Sequence, residues 1–237
     1  VPKIFRGVGD MLLRNDNGKF VDVSEDAGIY GSPIGFGLGV MVVDINNDLY
    51  PDIYVSNDFY ERDYLYINNQ DGTFSEEIQK WTNHLSLSAM GIDMADINND
   101  GLSDIYFTAN EAPDKIYLNK GNFTFEDITE KANLTKQDGW HNGVVMADVN
   151  ADGHTDIYIC RGGWQDTPQE RSNLLYINQG DNTFKESAVE YGLADEGFSV
   201  MASFFDMDND NDLDLYLTNR PEHFFLNYQQ VLAGKAK

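Results

Sequence analysis

The chain has 237 residues, with 16 Lys+Arg against 40 Asp+Glu and a formal net charge of −24. That balance excludes nucleic-acid binding through a basic patch and docking on an anionic membrane, since both need clustered Lys and Arg. Apolar residues at 41% and aromatics at 13% are enough for a packed core, no apolar run reaches the ~18 residues of a membrane-spanning helix, and a single cysteine, Cys160, excludes an internal disulfide framework and a Cys-based zinc site.

In chain order, Val1-Pro2-Lys3-Ile4 shows no apolar signal segment, which fits a mature form or a piece of a longer chain. Met11–Asn15 and Lys19–Val23 read as two short strands. A pattern then recurs four times. An apolar run comes first: Gly39–Val43, Gly91–Ala95, Gly143–Ala147 and Met201–Phe205. An acidic segment follows: Asp44–Asp52, Asp96–Asp104, Asp148–Asp156 and Asp206–Asp214. Next comes a β-branched and aromatic run: Ile53–Val55, Ile105–Phe107, Ile157–Ile159 and Leu215–Leu217. The third run is Tyr64–Asn68, Lys115–Asn119, Leu174–Asn178 and, in the last unit, Phe224–Asn227. A turn rich in Asn, Asp and Gly leads to a short fourth run at Thr73–Phe74, Phe123–Phe125 and Thr183–Phe184. Runs of 3–5 β-branched and aromatic residues between such turns are strand chemistry, and no 3.6-residue periodicity of useful length competes with it.

The first aspartates fall at 44, 96, 148 and 206, so the unit repeats every 52, 52 and 58 residues. Four short antiparallel strands in about 50 residues make a propeller blade. The expected fold is therefore all-β, a β-propeller of four-stranded blades, as one domain or propeller fragment over residues 1–237. Its repeats cover about 36–80, 88–130, 140–188 and 196–227. The N-terminal half-blade, 11–24, either completes the last blade and closes a four-bladed ring or belongs to an arc of a larger one.

The four acidic segments hold 14 of the 40 acids and no Lys or Arg. Two like charges ~4 Å apart repel by on the order of 4 kcal/mol at an effective dielectric of ~20, so a tight turn that gathers them calls for a cation. Spacing 1, 3, 5, 9 puts alternate side chains on one side of a curled loop, and Gly101 and Gly153 at position 6 allow the bend. Oxygen donors without Cys select a hard cation, and six or seven of them suit Ca²⁺. The expected ligands are the side chains of positions 1, 3, 5 and 9 with the carbonyl of position 7. They are Asp44, Asn46, Asp48, Tyr50 and Asp52; Asp96, Asn98, Asp100, Leu102 and Asp104; Asp148, Asn150, Asp152, His154 and Asp156; and Asp206, Asp208, Asp210, Asp212 and Asp214. Leu49 and Asn211 stand where the other two loops have glycine, so the first turn is expected to be distorted and its site weaker. Up to four Ca²⁺ would reduce the net charge to −16.

The unit Gly-x-x-x-x-Asp-x-Asn-x-Asp-Gly-x-x-Asp-Ile-Tyr, followed by Leu-Tyr-Ile-Asn and Gly-x-Phe, resembles the FG-GAP/VCBS repeat of integrin-like propellers. More closely it resembles bacterial repeat proteins of the ASPIC/UnbV type, related to cartilage acidic protein. The resemblance implies calcium in the hairpins between the first and second strands of each blade, with ligands at the positions named above. It also implies an extracellular, secreted or cell-surface setting, such as the exterior of a bacterial outer membrane.

The expected function is a non-catalytic, calcium-stabilised adhesion or binding module for a protein or glycan. The alternative is a structural subunit or spacer among other chains of a surface assembly. An enzyme is disfavoured, because His84, His141, His154 and His223 are scattered and no nucleophile pattern accompanies them. No nucleic acid and no membrane insertion are expected. The ligand face should lie opposite the acidic loops, where Tyr60, Arg62, Trp81, Trp140, Arg161 and Trp164 are candidate contacts.

Overall fold

The computed structural model describes residues 9–30, 32, 34–58, 61–81, 89–110, 112–122, 124–134, 138–163 and 167–222. Strands β1 (Leu13–Asp16) and β2 (Lys19–Asp22) form a hairpin whose turn takes positive φ at Asn17 and Gly18. Three antiparallel meanders follow. The first is β3 (Gly37–Val43), β4 (Asp52–Asn57), β5 (Tyr64–Asn68) and β6 (Phe74–Glu76). The second is β7 (Ala89–Ala95), β8 (Asp104–Ala109), β9 (Lys115–Asn119) and β10 (Phe125–Asp127). The third is β11 (His141–Ala147), β12 (Asp156–Arg161), β13 (Leu174–Asn178) and β14 (Phe184–Glu186). A last hairpin joins β15 (Ser199–Phe205) to β16 (Asp214–Asn219), and two single-turn helices, α1 (Ile78–Trp81) and α2 (Pro168–Arg171), lie in connections.

The all-β, four-stranded units match the expectation. The first strands start two residues earlier than expected, and each carries a register shift near its start, between 37 and 39, 89 and 91, 141 and 144, and 199 and 201. A bulge adds twist and lets the strand continue past the point where regular pairing would stop.

Consecutive sheets stack through their first strands. β7 packs on β3 and β4, β11 on β7 and β8, and β15 on β11 and β12. The approach is close: a Cβ added at Gly91 would lie 2.7 Å from the Asn142 carbonyl, and one at Gly143 would lie 2.6 Å from the Val200 carbonyl. Only glycine permits that separation. Asp93 accepts from the Met146 N–H at 2.7 Å, and the Asn142 amide donates to the Ser199 carbonyl at 2.6 Å. Apolar clusters fill each gap. Tyr54, Leu65, Ile92 and Met94 pack between the first two meanders, Tyr106, Ile116, Val144 and Ile157 between the next two, and Tyr158, Leu175 and Ala202 beside the last hairpin. Fully burying an aromatic or aliphatic side chain stabilises by about 1.5–3 kcal/mol. Cys160, 0% exposed, is a small core residue as expected, and burial pushes its thiol up to about 12.

Among the described residues, β1–β2 and β15–β16 are separate two-stranded sheets and no closed ring forms. The expected strand Phe224–Asn227 lies outside the described residues. Exposed apolar side chains gather on the two end units, with Val40 and Val42 on β3, and Val200, Met201 and Phe205 on β15.

Candidate metal sites

All four acidic segments fold into one loop conformation, connecting the first strand of a unit to the second. Positions 4 and 6 sit in the left-handed region in every loop: Asn47 and Leu49, Asn99 and Gly101, Ala151 and Gly153, Asn209 and Asn211. The expected distortion of the first turn is thus corrected. Leu49 takes φ +72°, close to the +86° of Gly101, and its side chain is 86% exposed. With nothing crowding it, the loop keeps its shape and leucine carries the strain.

Positions 1, 3 and 5 converge. The carboxylate of Asp96 accepts from the N–H groups of Asp100 (3.1 Å) and Gly101 (2.7 Å). Asn98 accepts from the Asp100 N–H at 3.0 Å and donates its amide to the Asp100 carboxylate at 3.1 Å. Asp100 accepts from the N–H of Leu102, position 7, at 3.0 Å. The loops at Asp44 and Asp148 repeat these bonds. In the fourth loop position 3 is Asp208 and has no amide to offer. Asp206, Asp208 and Asp210 bring carboxylate oxygens within 4.8 Å of one another, the only such acidic trio among the described residues. Asp212 donates its N–H to Asp210 at 3.1 Å.

Position 9 has a different environment. Asp52, Asp104 and Asp156 are buried. One oxygen of each accepts the N–H of position 2, namely Ile45, Ile97 or Val149, at 3.0–3.1 Å. The other accepts the N–H of the asparagine ending the third strand, Asn68, Asn119 or Asn178, at 2.8 Å. Asp214 keeps the first bond, from Met207 at 2.8 Å. Burial pushes Asp104 and Asp156 up to about 6 against these donors, and the charges at positions 5 and 1 push the same way. Each of the three buried carboxylates therefore closes its loop through both oxygens.

Sequence reasoning assigned no role to Asn119 and Asn178. The side-chain amide of Asn119 donates to the Ile45 carbonyl (3.0 Å) and the Ser103 carbonyl (3.2 Å), and that of Asn178 to Ile97 (2.9 Å) and Thr155 (3.1 Å). Each asparagine thus ties its own loop to the preceding one. The recurrence of Asn at the end of each Tyr-x-Asn run was the available signal.

At the opposite end of the sheets the four described candidate contact residues each have separate partners. Arg62 pairs with Glu76 at 2.6 Å and lies 5.4 Å from the Tyr64 ring centroid. Trp81 donates to Glu77 at 3.1 Å and packs on the first apolar cluster. Arg161 is 2% exposed and donates to the carbonyls of Asp138 and Ser172, so it pins two connections from within rather than facing solvent. Trp140 is half-buried, its carbonyl accepting the Gly162 N–H. Tyr60 and Trp164 lie outside the described residues. His141 is buried, 2.6 Å from Asp114, and His154 sits beside Asn99.

Fold and loops together define a repeat protein of four-stranded antiparallel units with acidic hairpins. The FG-GAP-like repeat matches residues 44–107 and 96–159, so the chain carries FG-GAP-like repeats. Cartilage acidic protein 1 of Xenopus tropicalis is 30% identical over 130 residues, 54% of this chain and 19% of that protein. The Mus musculus and Homo sapiens proteins are 28% and 27% identical over the same length. The chain matches about a fifth of the length of these relatives. Among solved structures, an Agrocybe aegerita lectin structure on recognition of non-reducing terminal N-acetylglucosamine aligns with TM-score 0.43 and 18% identity, over 88% of this chain and 51% of that one. Trypanosoma rangeli sialidase in complex with sialic acid aligns with TM-score 0.40 and 10% identity, over 96% of this chain and 40% of that one.

Proposed function

We propose that the chain is a calcium-stabilised, non-catalytic binding module of propeller type. The Asp206–Asp208–Asp210 trio carries the reading: three carboxylates held together in one turn, in a segment, 206–214, that contains no Lys or Arg. The donor set fits a hard cation throughout, because positions 1, 3, 5 and 9 supply only carboxylate and amide oxygens. Calcium would supply charge neutralisation and order, while the loop backbone orients positions 1, 3 and 5. The FG-GAP-like repeats and the cartilage acidic protein relatives support an extracellular or cell-surface setting for a non-enzymatic module. Loops this rich in carboxylate suit millimolar calcium. No helix among the described residues is long and apolar enough to cross a membrane.

The partner we propose is a protein or glycan met at the end opposite the acidic loops. The test pairs metal analysis of the desalted protein with glycan and protein arrays read in calcium and in EDTA. Bound calcium with calcium-dependent capture supports the reading, whereas a metal-free chain that captures its ligand equally well in EDTA contradicts it. A spacer role predicts bound calcium and an empty array.

A further inference from the structure

The second and third acidic loops touch each other. Thr155, position 8 of the third loop, donates its hydroxyl to the carbonyl of Asp96, position 1 of the second, at 3.1 Å. Asn99, position 4 of the second loop, donates its amide to the carbonyl of Gly153, position 6 of the third, at 3.0 Å, and lies 3.4 Å from His154 Nδ1. The Asn178 amide adds its bonds to both backbones. These contacts fall on the residues that shape the two ligand sets.

Elsewhere the link is weaker. Between the first and second loops only the Asn119 amide bridges; the counterparts Asn47 and Ser103 make no such bond among the described residues. Between the third and fourth loops the counterparts are Ala151 and Leu213, which have no amide or hydroxyl to give.

We propose that the second and third loops bind calcium as a coupled pair, with Thr155 and Asn99 as the positioning residues that transmit the effect. This rests on the calcium reading above. An ion in one loop orders its backbone, and through these bonds orders the carbonyl or turn on which the other loop's ligands are hung. The second ion then meets a loop whose ordering cost is already met, which raises its affinity. Charge works the other way, since a filled neighbour attracts the second ion less. At 0.15 M salt the Debye length is about 8 Å, so this opposing effect between exposed loops is damped while the hydrogen-bonded link is not.

The test is a calcium titration of the full chain in 0.15 M salt, read at the amide resonances of Gly101 and Gly153, which donate within their own loops to Asp96 and Asp148. Asp152→Ala disables the third loop, and Asp148→Asn is a second, milder variant should the first fail to fold. Coupling predicts that either variant weakens calcium binding at Gly101 by on the order of 5-fold or more, while Asp210→Ala in the fourth loop leaves it unchanged. In a chain carrying Thr155→Val and Asn99→Gly, which keep side-chain volume and positive φ respectively, only the Asn178 link remains and disabling the third loop affects the second markedly less. Calcium binding at Gly101 that ignores the state of the third loop overturns the coupling and leaves the calcium reading intact. No calcium-dependent shift at either glycine overturns both.

Discussion

Leu49 holds a backbone conformation that the second and third loops give to glycine, φ +72° against +86° and +87°. A left-handed residue with a Cβ costs roughly 1–2 kcal/mol, and the side chain, 86% exposed, recovers little through packing. Leu49→Gly should therefore stabilise the chain by about 1 kcal/mol, partly offset by added freedom in the unfolded state, and raise the urea midpoint. An unchanged or lower midpoint would show that the loop pays no strain there. Asp63 gives a second prediction at this scale. It is fully buried and accepts from the Tyr54 hydroxyl and the Asn57 N–H, each at 2.7 Å. Burial pushes it up to about 7. A carboxyl raised from about 4 when unfolded contributes stability that is present below pH ~4 and lost as pH rises through ~7. In the third meander the same place holds Asn173, which accepts from the Arg161 N–H and donates to the Tyr158 hydroxyl. Asp63→Asn should therefore flatten the fall of melting temperature between pH 4 and 7; a profile as steep as before would contradict the assignment.

The strands were legible because each meander states its chemistry locally: β-branched and aromatic runs, hairpin turns with positive φ at Gln70 and Gly72 or Gly180 and Asn182, and glycines where neighbouring sheets meet. What was not legible was which polar side chains join one unit to the next. Asn178 reaches Ile97, 81 residues back, and Asn119 reaches Ile45, 74 residues back; no local rule predicts such a pairing. Sequence treats the loop residues as one group; only the fold shows that position 9 is buried in the first three loops and bound by backbone N–H groups, while 1, 3 and 5 are joined by short hydrogen bonds. Arg161, a candidate ligand contact by sequence, is drawn inside by two carbonyls. At this scale the asparagines that end the third strands should matter unequally. Asn178→Ala leaves two carbonyls without their donor at a buried site and should cost about 2–3 kcal/mol. Asn68→Ala removes two exposed bonds, one to the Pro51 carbonyl and one from the Gln70 N–H, whose groups water can satisfy, and should cost under about 1 kcal/mol. Equal losses in urea unfolding would contradict the stapling role.

Across the whole molecule, three interior gaps are packed and the end units are half-covered. β12 is buried throughout while β1 and β2 are exposed along their full length. Stability in a repeat array is carried by neighbour contacts, so the middle meanders should exchange their amide hydrogens last. The net charge of −24 works against compaction, and the acidic loops concentrate that charge at one end of the sheets. Binding a cation in the folded loops alone adds stability by mass action, about 2.7 kcal/mol per site at 100 times the dissociation constant. The most direct measurement is the melting temperature of the chain in millimolar calcium and again in EDTA, at fixed pH and ionic strength. With several loops filled, a chain of this size should melt more than about 10 °C higher in calcium. A melting temperature that does not move would mean that these aspartate turns hold their shape without an ion.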